Sequence, residues 1–333
     1  MQNGTDKVMN SDLRLLACAS SRDYAETIAA AIGIELTAVE ERSFEDGEFK
    51  VRPLENVAGA DAFVVQSLYA EASASAADKW LRCLFLAGAA RDAGAEQVTL
   101  VIPYFAFCRK DRRTQPFDPL HTRYLAQMAE AVGASAVITL DIHNLAAFQN
   151  AFRCRAEAVT AAPLFVEHIR AQRADSPWLV LSPDAGGVKR AEAFRQRLSE
   201  TSGSEVALGM MEKFRGGGEL RLGRLVGDVA DRHVLIIDDL IASGSTLAHA
   251  AKACKEAGAR RVTAFATHGL FVKNAGSVLA DPALDELVIT DSVRPHRVEE
   301  LKDKLTVLES GPLIGRIIGR MHEHQGIEKF HGA

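Results

Sequence analysis

Val234-Leu-Ile-Ile-Asp238-Asp239-Leu-Ile-Ala242-Ser243-Gly244-Ser245-Thr246 reads as a buried strand, a pair of carboxylates and a turn of small residues, in that order. Four consecutive apolar residues before a turn suit a strand covered on both faces, as in parallel sheets. Residues 247–257 follow with apolar side chains at helical spacing. Ala, Ser and Gly let backbone N–H groups approach an anion, and a helix N-terminus adds aligned donors and partial positive charge. The stretch therefore predicts a phosphate cradle over Ala242, Ser243, Gly244, Ser245 and Thr246. Asp238 and Asp239 cannot serve the phosphate itself; they suit neutral hydroxyls or a metal beside it, as a sugar phosphate would present. An ordinary strand–turn–helix with Ser243 or Ser245 as helix N-cap shares this outline. Two acids at the strand end and a closing Thr246 favour the cradle.

The same rhythm runs along the chain. Short apolar runs at 62–66, 98–102, 136–140, 178–181, 234–237, 262–266 and 287–289 alternate with helical patterns at 79–93, 123–132, 188–198 and 247–257. Such alternation is the signature of βαβ units on a parallel sheet, an α/β fold. Residues 15–18 read as a first strand. Asp61-Ala-Phe-Val-Val-Gln-Ser67 is followed at a distance by Gly94-Ala-Glu-Gln-Val-Thr99, and His233-Val-Leu-Ile-Ile-Asp-Asp239 by Gly258-Ala-Arg-Arg-Val-Thr263. Recurrent turn chemistry after helices could produce this, as could duplication of one α/β unit; duplication is preferred. It predicts two similar domains, 1–160 and 161–333, with the last helix packing back on the first.

Composition narrows the class. The 333 residues are 47% hydrophobic and 25% charged, outside the range of disordered or low-complexity chains. Lys and Arg number 39 against 44 Asp and Glu, so no global positive field draws the chain to nucleic acid or an anionic membrane. No apolar run is long enough to span a bilayer. Cys18, Cys83, Cys108, Cys154 and Cys254 are widely spaced and odd in number. This argues against a disulfide or zinc framework and for a reducing, cytoplasmic setting, with the thiols as small buried hydrophobes.

Other segments carry chemistry. Ser182-Pro-Asp184-Ala-Gly-Gly187 places a carboxylate at a strand's end, where ligands sit in open α/β sheets. Asp141-Ile-His143 ends another strand. Arg109-Lys-Asp-Arg112 and Arg113 gather four cations just past Tyr104-Phe105. Lys213 and Arg215 precede Gly216-Gly-Gly218, a flexible stretch able to bring two cations over a site. Trp80 and Trp178 read as packing anchors. Arg190, Arg195 and Arg197 read as a solvent-facing helix side with one contact among them, and His322, His324 and His331 as a frayed tail.

With Phe44-Glu-Asp-Gly-Glu48, Val101-Ile-Pro-Tyr-Phe105, Glu212-Lys-Phe-Arg215, Gly227-Asp-Val229 and Thr267-His-Gly269, these pieces resemble, in order, the ribose-phosphate diphosphokinase (PRPP synthetase) family. The resemblance extends from about residue 44 to about residue 290. It implies two phosphoribosyltransferase-like domains, each with a mainly parallel sheet flanked by helices. It also implies transfer of the β,γ-diphosphoryl group of MgATP to O1 of ribose 5-phosphate, with release of AMP. By the same resemblance Lys213 and Arg215 are catalytic. Phe44, Asp46, Glu48, Arg109, Arg112 and His143 bind ATP, and Asp238, Asp239 and 242–246 bind ribose 5-phosphate. His143 and Asp184 face Mg²⁺. Self-association as a dimer or hexamer follows if Phe44, Asp46 and Glu48 complete a neighbour's site.

The chain departs from the family where Ala242-Ser-Gly-Ser-Thr246 replaces the common Asp-Thr-Ala-Gly-Thr, removing a carboxylate at Ala242. Residues 114–119, 144–149 and the tail beyond His322 also depart, so regulation by ADP or phosphate does not carry over. Two rivals share parts of the pattern: a phosphoribosyltransferase that consumes PRPP, and a non-catalytic PRPP-synthetase-associated regulatory subunit.

Overall fold

The computed structural model describes residues 12–172, 176–216 and 219–332, with the side chains of residues 213–222 outside the description. The chain divides into two compact units. The first runs to Thr139 and adds Asn144–Glu157 and Gly311–Ile327; the second holds Leu140–His143, Ala158–Ser310 and the residues from Glu328 on.

The first unit opens with β1 (Leu13–Ala17), α1 (Arg22–Ile32) and a separate antiparallel hairpin of β2 (Val39–Ser43) and β3 (Phe49–Pro53). It continues through β4 (Asp61–Val65), α2 (Ala76–Asp92), β5 (Gln97–Ile102), α3 (His121–Ala131), β6 (Ala136–Leu140), α4 (Leu145–Ala151) and β7 (Arg155–Val159), whose last residues reach the second unit. The sheet order is β1-β4-β5-β6-β7, parallel across β1/β4, β4/β5 and β5/β6. Every residue of β4 is buried, which explains the unbroken apolar run that follows Asp61. Ser75 starts α2 through a reciprocal capping box with Asp78.

The second unit follows with α5 (Ala162–Ala171), β8 (Trp178–Ser182), α6 (Val188–Ser202), β9 (Ala207–Gly216), β10 (Glu219–Val226), β11 (His233–Ile241) and α7 (Ser245–Glu256). Then come β12 (Arg261–Gly269), α8 (Ala275–Leu279), β13 (Glu286–Thr290) and β14 (Leu305–Leu308), before the chain returns to the first unit in α9 (Gly311–His322). Its sheet order is β10-β9-β8-β11-β12-β13-β14, parallel except for the β9/β10 hairpin. Counted from β1 in the first unit and from β8 in the second, the order strand, helix, antiparallel hairpin, strand, helix, strand recurs. Leu181, Val234, Ile236, Ala264, Leu287 and their neighbours form this sheet's apolar core with α7 and α8.

Helix α9 belongs to the first unit, where it packs on α1 with Ile314, Ile317 and Ile318 fully buried. Gly315 permits the close approach, since a Cβ there would lie 3.1 Å from the Ile28 carbonyl oxygen. The tail is therefore not frayed. His322 Nδ1 lies 3.0 Å from Asp61 Oδ2, and His331 bridges to Val159. Four cysteines are buried, Cys154 is half-buried, and all five are free. Trp80 is buried against Phe105, while Trp178 is half-buried.

Candidate active site

In the second unit β11 does not stop before its acids. Leu240 and Ile241 still pair with His268 and Gly269 of β12, so Asp238 and Asp239 sit inside the strand rather than after it. Only Ala242, Ser243 and Gly244 remain as loop, because Ser245 and Thr246 already belong to the first turn of α7. Gly244 holds φ +75°, the left-handed region that favours glycine, and a Cβ there would meet Leu279 Cγ at 2.6 Å. It occupies the N-cap position of α7, which carries no side-chain cap. Ser243 and Ser245 instead bond each other at 2.9 Å. Neither serine is the N-cap, so the first-turn N–H donors keep their partial positive charge for an incoming anion.

Asp239 lies nearly buried, with Oδ2 2.7 Å from His143 Nδ1 and Oδ1 3.4 Å from Arg190 Nη1. The same Arg190 nitrogen lies 3.6 Å from Asp238 Oδ1, and the Asp239 backbone N–H donates to that oxygen at 2.8 Å. Burial pushes the Asp238 pKa well up, helped by the hydrogen bond and charge of Asp239. Asp239 also pays the desolvation cost of burial, but the His143 hydrogen bond and the Arg190 charge outweigh it and hold its pKa low. One acid of the pair therefore concentrates the negative charge, and Arg190 faces both. The sequence allowed one contact among Arg190, Arg195 and Arg197 but did not place Arg190 at the site, because charge on a helix ordinarily signals solvent.

Asp184 follows β8 and caps a short 3₁₀ turn, its Oδ1 accepting from the Gly186 and Gly187 N–H groups at 2.9 and 3.1 Å. His143 ends a segment whose Asp141 carries φ +38°, uncommon for a residue other than glycine. The Asp141 carboxylate accepts from the Ala161 N–H at 2.8 Å and from the Thr267 hydroxyl at 2.6 Å. Lys213 and Arg215 lie in β9, paired antiparallel with β10, and not in a coil as their glycine-rich neighbourhood suggested. Their side chains, and Gly217 and Gly218 entirely, lie outside the described residues.

In the first unit the cations past β5 separate into two kinds. Lys110 and Arg113 are tied to the Asp118 turn, at 3.7 Å to its carboxylate and 3.3 Å to its carbonyl. Arg109 and Arg112 are exposed, and no ion pair among the described residues engages either. Phe44, Asp46 and Glu48 form the exposed turn joining β2 to β3, closed by Phe44 N–H to the Glu48 carbonyl at 2.8 Å. Phe44 is 40% exposed under the Arg42 guanidinium, so it is not core.

Residues 13–133 match the family described as the N-terminal domain of ribose phosphate pyrophosphokinase, and residues 222–331 the phosphoribosyl synthetase-associated domain. The ribose-phosphate pyrophosphokinase of Hyphomonas neptunium is 34% identical over 319 residues, 96% of this chain and 99% of that protein. The chain belongs to the ribose-phosphate pyrophosphokinase family. The Brucella melitensis enzyme of that name has the same identity and coverage. The crystal structure of phosphoribosylpyrophosphate synthetase from Mycobacterium smegmatis superposes with a TM-score of 0.83 at 28% identity, covering 94% of this chain and all of that one. As a family member the chain is an enzyme with two phosphoribosyltransferase-like α/β domains.

Among the described residues no group of three or more His, Cys, Asp or Glu side chains is gathered to hold a metal ion. A divalent ion such as Mg²⁺ needs few protein ligands, because water and substrate phosphate oxygens supply the rest. The hard carboxylate oxygens of Asp184, Asp238 and Asp239 fit that donor set. His143 fits less directly, since its Nδ1 is engaged by Asp239.

Proposed function

We propose that the chain is a working ribose-phosphate diphosphokinase: the O1 hydroxyl of ribose 5-phosphate attacks the β-phosphorus of ATP. The new O1–Pβ bond forms as the bond from Pβ to the α,β-bridging oxygen breaks, AMP departs with that oxygen, and O1 loses its proton. Mg²⁺, when bound with ATP, neutralises polyphosphate charge near Asp184 and His143. The 242–246 amides hold the 5-phosphate, and Asp238 and Asp239 orient the ribose hydroxyls. Arg109 and Arg112 bind the triphosphate, and Lys213 and Arg215 stabilise charge that develops during transfer. Phe44, Asp46 and Glu48 serve the adenine of a neighbouring subunit, which makes the protein a homo-oligomer. The free cysteines suit the cytoplasm, and no described helix is long and apolar enough to cross a membrane.

The uncapped N-terminus of α7 beside the Asp238–Asp239 pair carries this reading, supported by family membership. It supplies main-chain donors for a phosphate monoester, with acids next to them for the sugar hydroxyls. Ala242 leaves the cradle intact, since amides rather than a carboxylate grip the phosphate. The test is purified protein with ATP, Mg²⁺ and ribose 5-phosphate, followed for AMP and PRPP in equal amounts. Nucleotide binding without turnover would point instead to a regulatory subunit, and PRPP consumption with a free base to a phosphoribosyltransferase. Lys213→Ala is expected to lower kcat by about 10²–10³, the scale of losing one preorganised charge-stabilising donor. Near-parental turnover in that variant removes the β9 cations from the mechanism.

A further inference from the structure

The Leu140–His143 segment is held by a chain of bonds from β12 and β13 that the reaction itself does not use. Thr267 Oγ1 donates to Asp141 Oδ2 at 2.6 Å, a short bond to a charged acceptor. The neighbouring His268 Nε2 donates to the Leu140 carbonyl at 2.9 Å. His268 Nδ1 lies 2.9 Å from the Ser292 hydroxyl, and the Thr290 hydroxyl donates to the Thr267 carbonyl at 2.7 Å. Thr267, His268, Thr290 and Ser292 are all buried. With burial keeping His268 neutral, one tautomer satisfies the chain: Ser292 donates to Nδ1 and Nε2–H donates to Leu140. The backbone joins in, as the Asp141 N–H donates to Val159 at 2.8 Å.

What is held is strained. Asp141 keeps φ +38°, a conformation that persists only where its surroundings over-determine it. Two residues further on, His143 meets Asp239 at 2.7 Å. Thr267 and His268 also lie on the strand next to β11, where Asp238 pairs with Ala266 and Leu240 with His268. One strand thus fixes both ends of the His143–Asp239 contact.

We propose that Thr267 and His268 are positioning residues: they clamp Asp141 and Leu140 so that His143 is presented to Asp239 in the geometry that the transfer needs. The inference rests on the role assigned to His143 above. The main-chain 5-phosphate cradle lies on a different segment, so loosening the clamp lowers kcat more than it raises the KM for ribose 5-phosphate, which feels the change only through Asp239.

The experiment is a double-mutant cycle in the full-length protein with His143→Ala, Thr267→Val and Thr267→Ser. Thr267→Val removes one hydroxyl and is expected to lower kcat about tenfold, the scale of one lost hydrogen bond to a charged group. Thr267→Ser keeps the hydroxyl and should stay within about threefold of the parent. In the His143→Ala background Thr267→Val should cost nothing further, because there is no imidazole left to position. If His143→Ala is damaging while Thr267→Val is silent, or if the two effects simply add, the clamp is overturned and the reading of His143 stands. If His143→Ala is itself silent, that reading fails and takes the clamp with it. Should Thr267→Val not fold, His268→Gln, which keeps an N–H for Leu140, is compared with His268→Met, which does not; equal kcat in the two overturns the proposal.

Discussion

Arg190 stands on the first turn of α6 with one guanidinium nitrogen within 3.6 Å of both Asp238 and Asp239. Asp239 carries its negative charge in a largely buried strand, and removing the cation that faces it leaves that charge uncompensated. Arg190→Ala should therefore lower kcat/KM for ribose 5-phosphate at least about tenfold, with Arg190→Lys recovering part of it. Steady-state kinetics at saturating ATP reads this, and unchanged values would exclude Arg190 from the site. Glu286 offers a pH test away from the site. Burial alone would raise its pKa, but hydrogen bonds from His168 and Gln172, with the His168 and Arg261 charges, bring it from 4.5 down to about 2. A depressed carboxylate contributes stability that is present above its unfolded pKa and lost as pH falls through the folded value. Thermal melts should show the parent losing stability between pH 4.5 and about 2, and Glu286→Gln should flatten that part of the curve.

At the scale of elements, legibility followed burial. The strands β4, β5, β6, β8, β11, β12 and β13 lie inside parallel sheets, and their apolar runs announced them to within a few residues. The hairpins did not announce themselves. β2 is Val39-Glu-Glu-Arg-Ser43, half-exposed or exposed throughout, and a strand that buries little has no hydrophobic period to read. Glycines around β9 and β10 suggested a coil, whereas the backbone pairs Leu220 with Arg215 and Glu219 with Gly216. Within the site, the acids and the small-residue loop were legible from order alone. The Asp239–His143 and Arg190 contacts were not, because they join residues distant in the chain. The loop also yields a prediction. Gly244→Ala puts a side chain at φ +75° and against Leu279, and should destabilise the fold by about 1–2 kcal/mol while raising the KM for ribose 5-phosphate. Denaturant titration beside a KM measurement tests both parts, and a variant as stable as the parent would contradict the left-handed requirement.

At the scale of the molecule, the C-terminal helix is part of the first unit's core. Ile317 is fully buried on a helix packed against α1, and Ile317→Ala should cost about 2–5 kcal/mol of stability, read as a lower thermal midpoint with the site kinetics preserved. A midpoint equal to the parent's would mean that α9 adds little to the unit. The polypeptide passes from one unit to the other after Thr139, His143, Glu157, Ser310 and Ile327, so neither unit is a continuous stretch. A fragment expressed as residues 1–160 would leave the apolar flank of α1 bare and sticky. The complementary piece would lack the four residues that end in His143. Ribosomal synthesis faces the same order of events: the first unit cannot finish folding until Gly311–His322 has been made, so a stop codon ahead of that helix spoils the beginning of the protein as surely as its end.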